Sequence, residues 1–229
     1  MKPSIGRTSP TDWTAIRKAI ACAPLPRGYR FELLQRREIR CVIDALAEWF
    51  PDIAVGSASC YLSEAFFAED VFFADAPEKD VLVVLIRKKR ELAGIFSCER
   101  DASSLALYAR LGVVAPGHRG LGLAHASLVL AEAIGRQMKM GMVYAMATLK
   151  VPHVQRAFET LDWQLIGIAP GLDRELVAPG VVKRVYEAVY AKVLVAKSRL
   201  LRPRARNLTA RTRAFFNMLF PSERLEGAR

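Results

Sequence analysis

A chain of 229 residues is long for one average domain and short for two, and 52% apolar side chains are ample for one substantial core. With 34 Lys and Arg against 23 Asp and Glu, the net charge is +11, which favours anionic partners such as phosphorylated cofactors, nucleic acid or acidic membranes without choosing among them. Cys22, Cys41, Cys60 and Cys98 form no CxxC pair, so neither a zinc site nor a disulfide framework is expected; there is no secretory h-region and no run of about 18 apolar residues, so a cytoplasmic protein is expected.

The elements follow from periodicity. Ser, Thr and Asp stand as caps before an apolar repeat of Trp13, Ile16 and Ile20 that Pro24 stops, which predicts a leading helix in an N-terminal extension over 1–28. Tyr29, Phe31 and Leu33 alternate as a strand, and Ile39, Ile43, Leu46 and Phe50 then recur at helical spacing. "SEAFFAEDVFF" reads as a second helix with Ser63 as its cap. The runs "DVLVVLIRK", "ELAGIFSCE" and "SLALYARLGVV" are joined by links short enough for hairpins, which predicts a three-stranded antiparallel meander.

A glycine-rich loop follows directly. Residues 121–139 carry Leu121, Leu128, Ala131 and Ile134 at helical spacing, "MVYAMATL" reads as a fifth strand, and "HVQRAFETL" as a short helix. "WQLIGIA" and "VYEAVYAKVLV" close the domain as strands, giving a main body over 29–195. Residues 196–229 hold nine basic and two acidic residues and form a separate basic, partly helical tail. Within it "TARTRAFFNMLF" places Phe215, Met218 and Leu219 on one side of about three helical turns, which favours docking on protein, on this domain or on a second copy as a homodimer. Nucleic acid and an anionic membrane are the less favoured partners for the tail.

The loop "VVAPGHRGLGLA" is neither a Walker A loop nor a dinucleotide fingerprint. Its Arg119, Gly122 and Ala124 lie between a strand and a helix N-terminus, where small side chains let successive backbone N–H groups turn toward one anion and the helix dipole adds favourable potential. Here the sequence resembles the GNAT superfamily of acyl-CoA-dependent N-acetyltransferases. Val114, Pro116, Arg119, Gly120, Gly122 and Ala124 fall on its cofactor motif, and the order of elements from 29 to 195 is similar to that fold. The resemblance implies an α/β (α+β mixed) fold: a central, mostly antiparallel sheet splayed at strands 4 and 5 and flanked by helices.

It also implies a reaction and a site. Acetyl-CoA would be the cofactor, with its pyrophosphate held by the backbone of Arg119, Gly120, Leu121, Gly122, Leu123 and Ala124, and its pantetheine arm beside Val113 and Val114. The acetyl or other short acyl group would pass directly to a primary amine on a small molecule or a protein. A non-catalytic acyl-CoA sensor or scaffold, and a nucleic-acid or ribosome-associated protein using the basic tail, are the alternatives. Many members use a Tyr in the helix after the fifth strand as general acid, but "AFETLDW" has Phe158 there, Asp162 stands where Gly is common, and an Asn usual two turns earlier is replaced near Val151. Water, or a tyrosine such as Tyr108 or Tyr144, is then the candidate acid, and Glu99 the candidate base.

Arg110 and Tyr108 are expected on one face of the fourth strand, opposite Leu107, Ala109 and Leu111. From that face Arg110 either binds a substrate carboxylate or pairs with an acid of a packed helix. His153, just after Pro152, is a candidate on the acceptor side, His118 is expected to flank the phosphates, and Cys98 reads as core packing.

Overall fold

The computed structural model describes residues 13–73, 79–223 and 225–226, with side chains from Ile16 onward; Trp13's side chain and the expected caps up to Asp12 lie outside the described residues. Contacts divide the chain into two units, Met1–Leu194 and Val195–Arg229. In chain order the first unit contains α1 (Trp13–Cys22), β1 (Tyr29–Leu33), α2 (Ile39–Trp49), α3 (Glu64–Glu69), β2 (Val81–Lys88), β3 (Glu91–Asp101) and β4 (Ala106–Val114). It continues with α4 (Leu123–Gln137), β5 (Met142–Thr148), α5 (His153–Thr160), β6 (Gln164–Ala178) and β7 (Val181–Val193).

The seven strands form one sheet in the order β1-β2-β3-β4-β5-β7-β6, antiparallel except for β4 with β5. Both faces of β2 are covered, which is why it reads as an unbroken apolar run. Leu82, Val84 and Ile86 join one core with α1 and α4, whereas Val81, Val83 and Leu85 join a second with α2 and α3. The leading helix is built into the first core through Ile16 and Ile20.

Three expectations are corrected. The helix expected over "SEAFFAEDVFF" ends at Glu69; Val71 instead bridges Val81, and Phe72 and Phe73 go to opposite cores, as alternating extended residues do. The strand expected to end at Ala169 continues to Ala178, passing Pro170 and Gly171 by a register shift before Asp173.

The third lies on β4, where Ser97 pairs with Leu111 and Cys98 with Ala109, leaving Arg110 as the extra residue of a bulge. A bulge resets alternation, so Leu111 and Val113 enter the second core while Leu107 and Ala109 stay in the first. Leu111 is therefore not opposite Arg110, as strict alternation predicts.

The second unit holds α6 (Ala210–Leu219), capped by the Thr209 side chain accepting from the Thr212 N–H at 3.2 Å. Lys197 and Glu223 form an ion pair at 2.7 Å, and Arg213 donates to the Ala205 carbonyl at 2.9 Å. Leu201 is 97% exposed, and Phe215 and Met218 are exposed on α6. No helix among the described residues is long and apolar enough to cross a membrane.

Candidate active site

The one parallel strand pair among the described residues is also an incomplete one. Among the described residues β4 and β5 pair over Ala106–Ala109 and Met142–Ala145, after which β4 runs on to Val114 and β5 to Thr148 without pairing each other. The backbone edge so freed on β4 leads straight to the glycine loop. Gly120 and Gly122 have φ of +77° and +78°, and a Cβ at either would meet no atom within 4 Å, so the loop leaves open space above its backbone. Gly122 caps α4, a helix of 15 residues whose first-turn N–H groups have no partner within the helix. The loop and helix start thus combine an open cradle with a positive dipole end, which fits an anionic group.

Side chains brace this loop from behind. Arg119 does not reach outward: its Nε donates to the Val114 carbonyl and its Nη2 to the Trp49 carbonyl, both at 3.1 Å. His118, expected beside phosphates, is buried, with the Tyr29 hydroxyl 2.8 Å from Nδ1 and the Glu91 carboxylate 3.0 Å from Nε2.

A wall of aromatic and charged groups occupies the α2 side of the splay. Tyr108 stacks on Tyr144, the rings 4.9 Å apart and nearly parallel, at the second-last pair before the strands part. Burial first, and then the Glu187 carboxylate, push the Tyr108 hydroxyl up to about 12. Arg110 donates to Glu99 at 2.8 Å and to the Ser57 carbonyl at 2.7 Å, and its guanidinium lies over the rings of Tyr61 and Phe66. The acid that holds it comes from the neighbouring strand rather than a helix. Tyr61 is itself fixed by a buried hydroxyl contact of 2.5 Å with Ser97.

The turns over 51–62 close this side. Asp173 accepts from the Ser57 N–H and hydroxyl, both at 2.8 Å, and the backbone at Gly56 passes so near Arg174 that a Cβ would lie 2.5 Å from its carbonyl oxygen. Lys150 ties the same region to β6 through Glu175 at 2.6 Å and Asp52 at 3.4 Å.

No protein-family model and no curated protein matches the chain. Solved structures do match. The spermidine/spermine N-acetyltransferase SpeG from Vibrio cholerae superposes with a TM-score of 0.59 at 12% identity, over 74% of this chain and 95% of that one. The ribosomal L7/L12 α-N-protein acetyltransferase RimL gives 0.56 at 11% identity over 76% and 99%, and a putative phosphinothricin N-acetyltransferase 0.55 at 16% over 73% and 99%. The chain has the GNAT fold.

Within that GNAT frame the remaining candidates separate. Phe158 is buried in the first core, its ring 5.0 Å from that of Tyr190 and 5.1 Å from that of Trp163. Asp162 has a φ of +56°, the left-handed conformation that glycine adopts at least cost. His153 is exposed in the first turn of α5, away from any grouping with Tyr108 or Arg110 that the structure records. Cys98 is buried, which pushes its thiol up to about 12 and leaves it unsuited to nucleophilic attack. Sequence reasoning passed over Tyr61, Asp173, Glu175 and Glu187; the one signal available was a lone Glu in the apolar alternation of "VYEAVYA".

Proposed function

We propose that the chain transfers an acetyl group from acetyl-CoA to a primary amine by direct transfer within a ternary complex. The observation that carries this reading is the parting of β4 from β5 beside a positive-φ glycine loop at the start of α4. The backbone of Arg119–Ala124 and the first turn of α4 would hold the pyrophosphate, and the freed edge of β4 at Val113 and Val114 would lie along the pantetheine arm. Acetyl-CoA supplies an acyl group already activated as a thioester, so positioning and a proton path are the protein's main tasks.

Its residues suit those tasks. Tyr108 stays protonated across the working range and serves as the proton donor to the departing sulfur. Arg110 is held on four sides and shapes the acceptor wall with Glu99, rather than reaching for a substrate carboxylate. The structurally similar enzymes are named for acceptors as different as spermidine, a ribosomal protein and phosphinothricin, so the amine is the shared chemistry. The test is release of free thiol from acetyl-CoA in the presence of simple primary amines. Amine-dependent release, matched by acetylated amine in the mass spectrum, is expected; tight CoA binding with no release from any amine would refute transfer.

A further inference from the structure

One carboxylate facing the splay has no hydrogen-bond or ion-pair partner among the described residues. Glu187 lies on β7 between Thr148 of β5 and Ala169 of β6. Its neighbours in alternation, Ala188 and Tyr190, point into the first core with Val143, Ala145 and Ala147. Glu187 therefore shares the opposite face with Tyr144, Met146 and Tyr108, the face on which the acceptor wall stands. It is half-buried, and among the described residues none gives it a hydrogen bond or an ion pair. The nearby cations are spoken for, Lys150 by Glu175 and Asp52, and Arg110 by Glu99.

We propose that Glu187 is the general base that deprotonates the acceptor amine, an assignment that rests on the acetyl-transfer reading above. A primary ammonium must lose two protons to become an amide. Glu187 takes the first and passes it to solvent. The freed nitrogen forms the C–N bond as the C–S bond breaks, and the second proton replaces the one that Tyr108 gives to the departing sulfur. The balance is one ammonium and one thioester in, and one amide, one thiol and one proton out.

The surroundings tune Glu187 for this. Burial, and then the carboxylates of Asp173 and Glu175 on β6, push its carboxyl up to about 7, where a base is strong yet about half ionised at neutral pH. Tyr108 faces it from β4 and feels its charge; from the turns, Asp52 is engaged by Lys150 and Ser57 by Asp173. Glu99, the base expected from sequence, is instead ion-paired with Arg110.

The test uses the full chain. Carbon NMR of labelled glutamate carboxyls should show one resonance titrating near pH 7, absent from Glu187→Gln. With acetyl-CoA and benzylamine, spermidine or a short lysine peptide, wild-type kcat/KM should rise through the same pH. Glu187→Gln should lose about 10²-fold at neutral pH, with the loss shrinking as the amine itself deprotonates. Glu187→Asp, which keeps a carboxylate, should retain the acid limb, and it serves in place of the Gln variant if that fails to fold. A loss of the same size from about pH 6 to 10, no loss, or an Asp variant without the limb overturns the assignment while leaving acetyl transfer standing. Absence of thiol release from wild type with every amine, despite CoA binding, overturns both.

Discussion

Replacing Gly122 with glutamate is expected to abolish CoA binding. The residue sits at φ +78° and ψ 8° at the cap of α4, a conformation that costs a side-chain-bearing residue about 1–2 kcal/mol. Space is not the limit in the free protein, since a Cβ would meet nothing within 4 Å; the new carboxylate would instead fill that open cradle with negative charge. At the helix N-terminus where the pyrophosphate is proposed to sit, charge and bulk then act together. In wild type, CoA at about 100 times its dissociation constant should stabilise the fold by about 2.7 kcal/mol, or roughly 5–10 °C in Tm for a chain of this size. NAD and ATP should give much smaller shifts. A thermal scan of the glutamate variant should show no CoA shift, and Gly122→Ala a reduced one. An undiminished shift in Gly122→Glu would place the pyrophosphate elsewhere.

Phe158→Ala should cost about 3–5 kcal/mol of stability, a loss typical of a buried aromatic cut back to a methyl. Phe158 is 2% exposed and its ring packs against both Tyr190 and Trp163, so the cavity would open in the middle of the first core. Phe158→Leu should cost less, and per folded molecule it should keep most of the acetyl-transfer rate, because the ring has no acidic proton to donate. Urea unfolding measures the first effect and thiol release the second. A Leu variant that is fully folded yet loses 10²-fold or more in rate, the scale of a removed acid or base, would assign Phe158 a part in the chemistry that its burial does not suggest.

Much of the fold was written in periodicity and turn spacing. The apolar run of β2, the short links of the meander and the "VVAPGHRGLGLA" loop are local signals, and each locates its element without knowledge of the partner. The bulge at Arg110 was not legible, because Leu111 is apolar whichever core receives it. Nor was the length of β6, since Pro170 and Gly171 read as a stop until pairing with β7 carries the strand past them. The candidate site was readable in proportion to how local it is: the cradle is one contiguous loop, whereas the wall of aromatic and charged groups joins Tyr61, the Glu99–Arg110 pair, Asp173 and Glu187 from separate segments of the sequence. Glu187 in particular looks like any solvent-facing strand residue until β5 and β6 are set on either side of it.

The most direct measurement is a crystal structure of the chain with CoA. Pyrophosphate oxygens are expected on the backbone N–H groups of residues 119–124, the pantetheine between β4 and β5 beyond Ala109 and Ala145, and the sulfur on the side of the splay that Tyr108 and Glu187 face. CoA bound anywhere else, or density for the pantetheine that bypasses the gap between those strands, would contradict that placement.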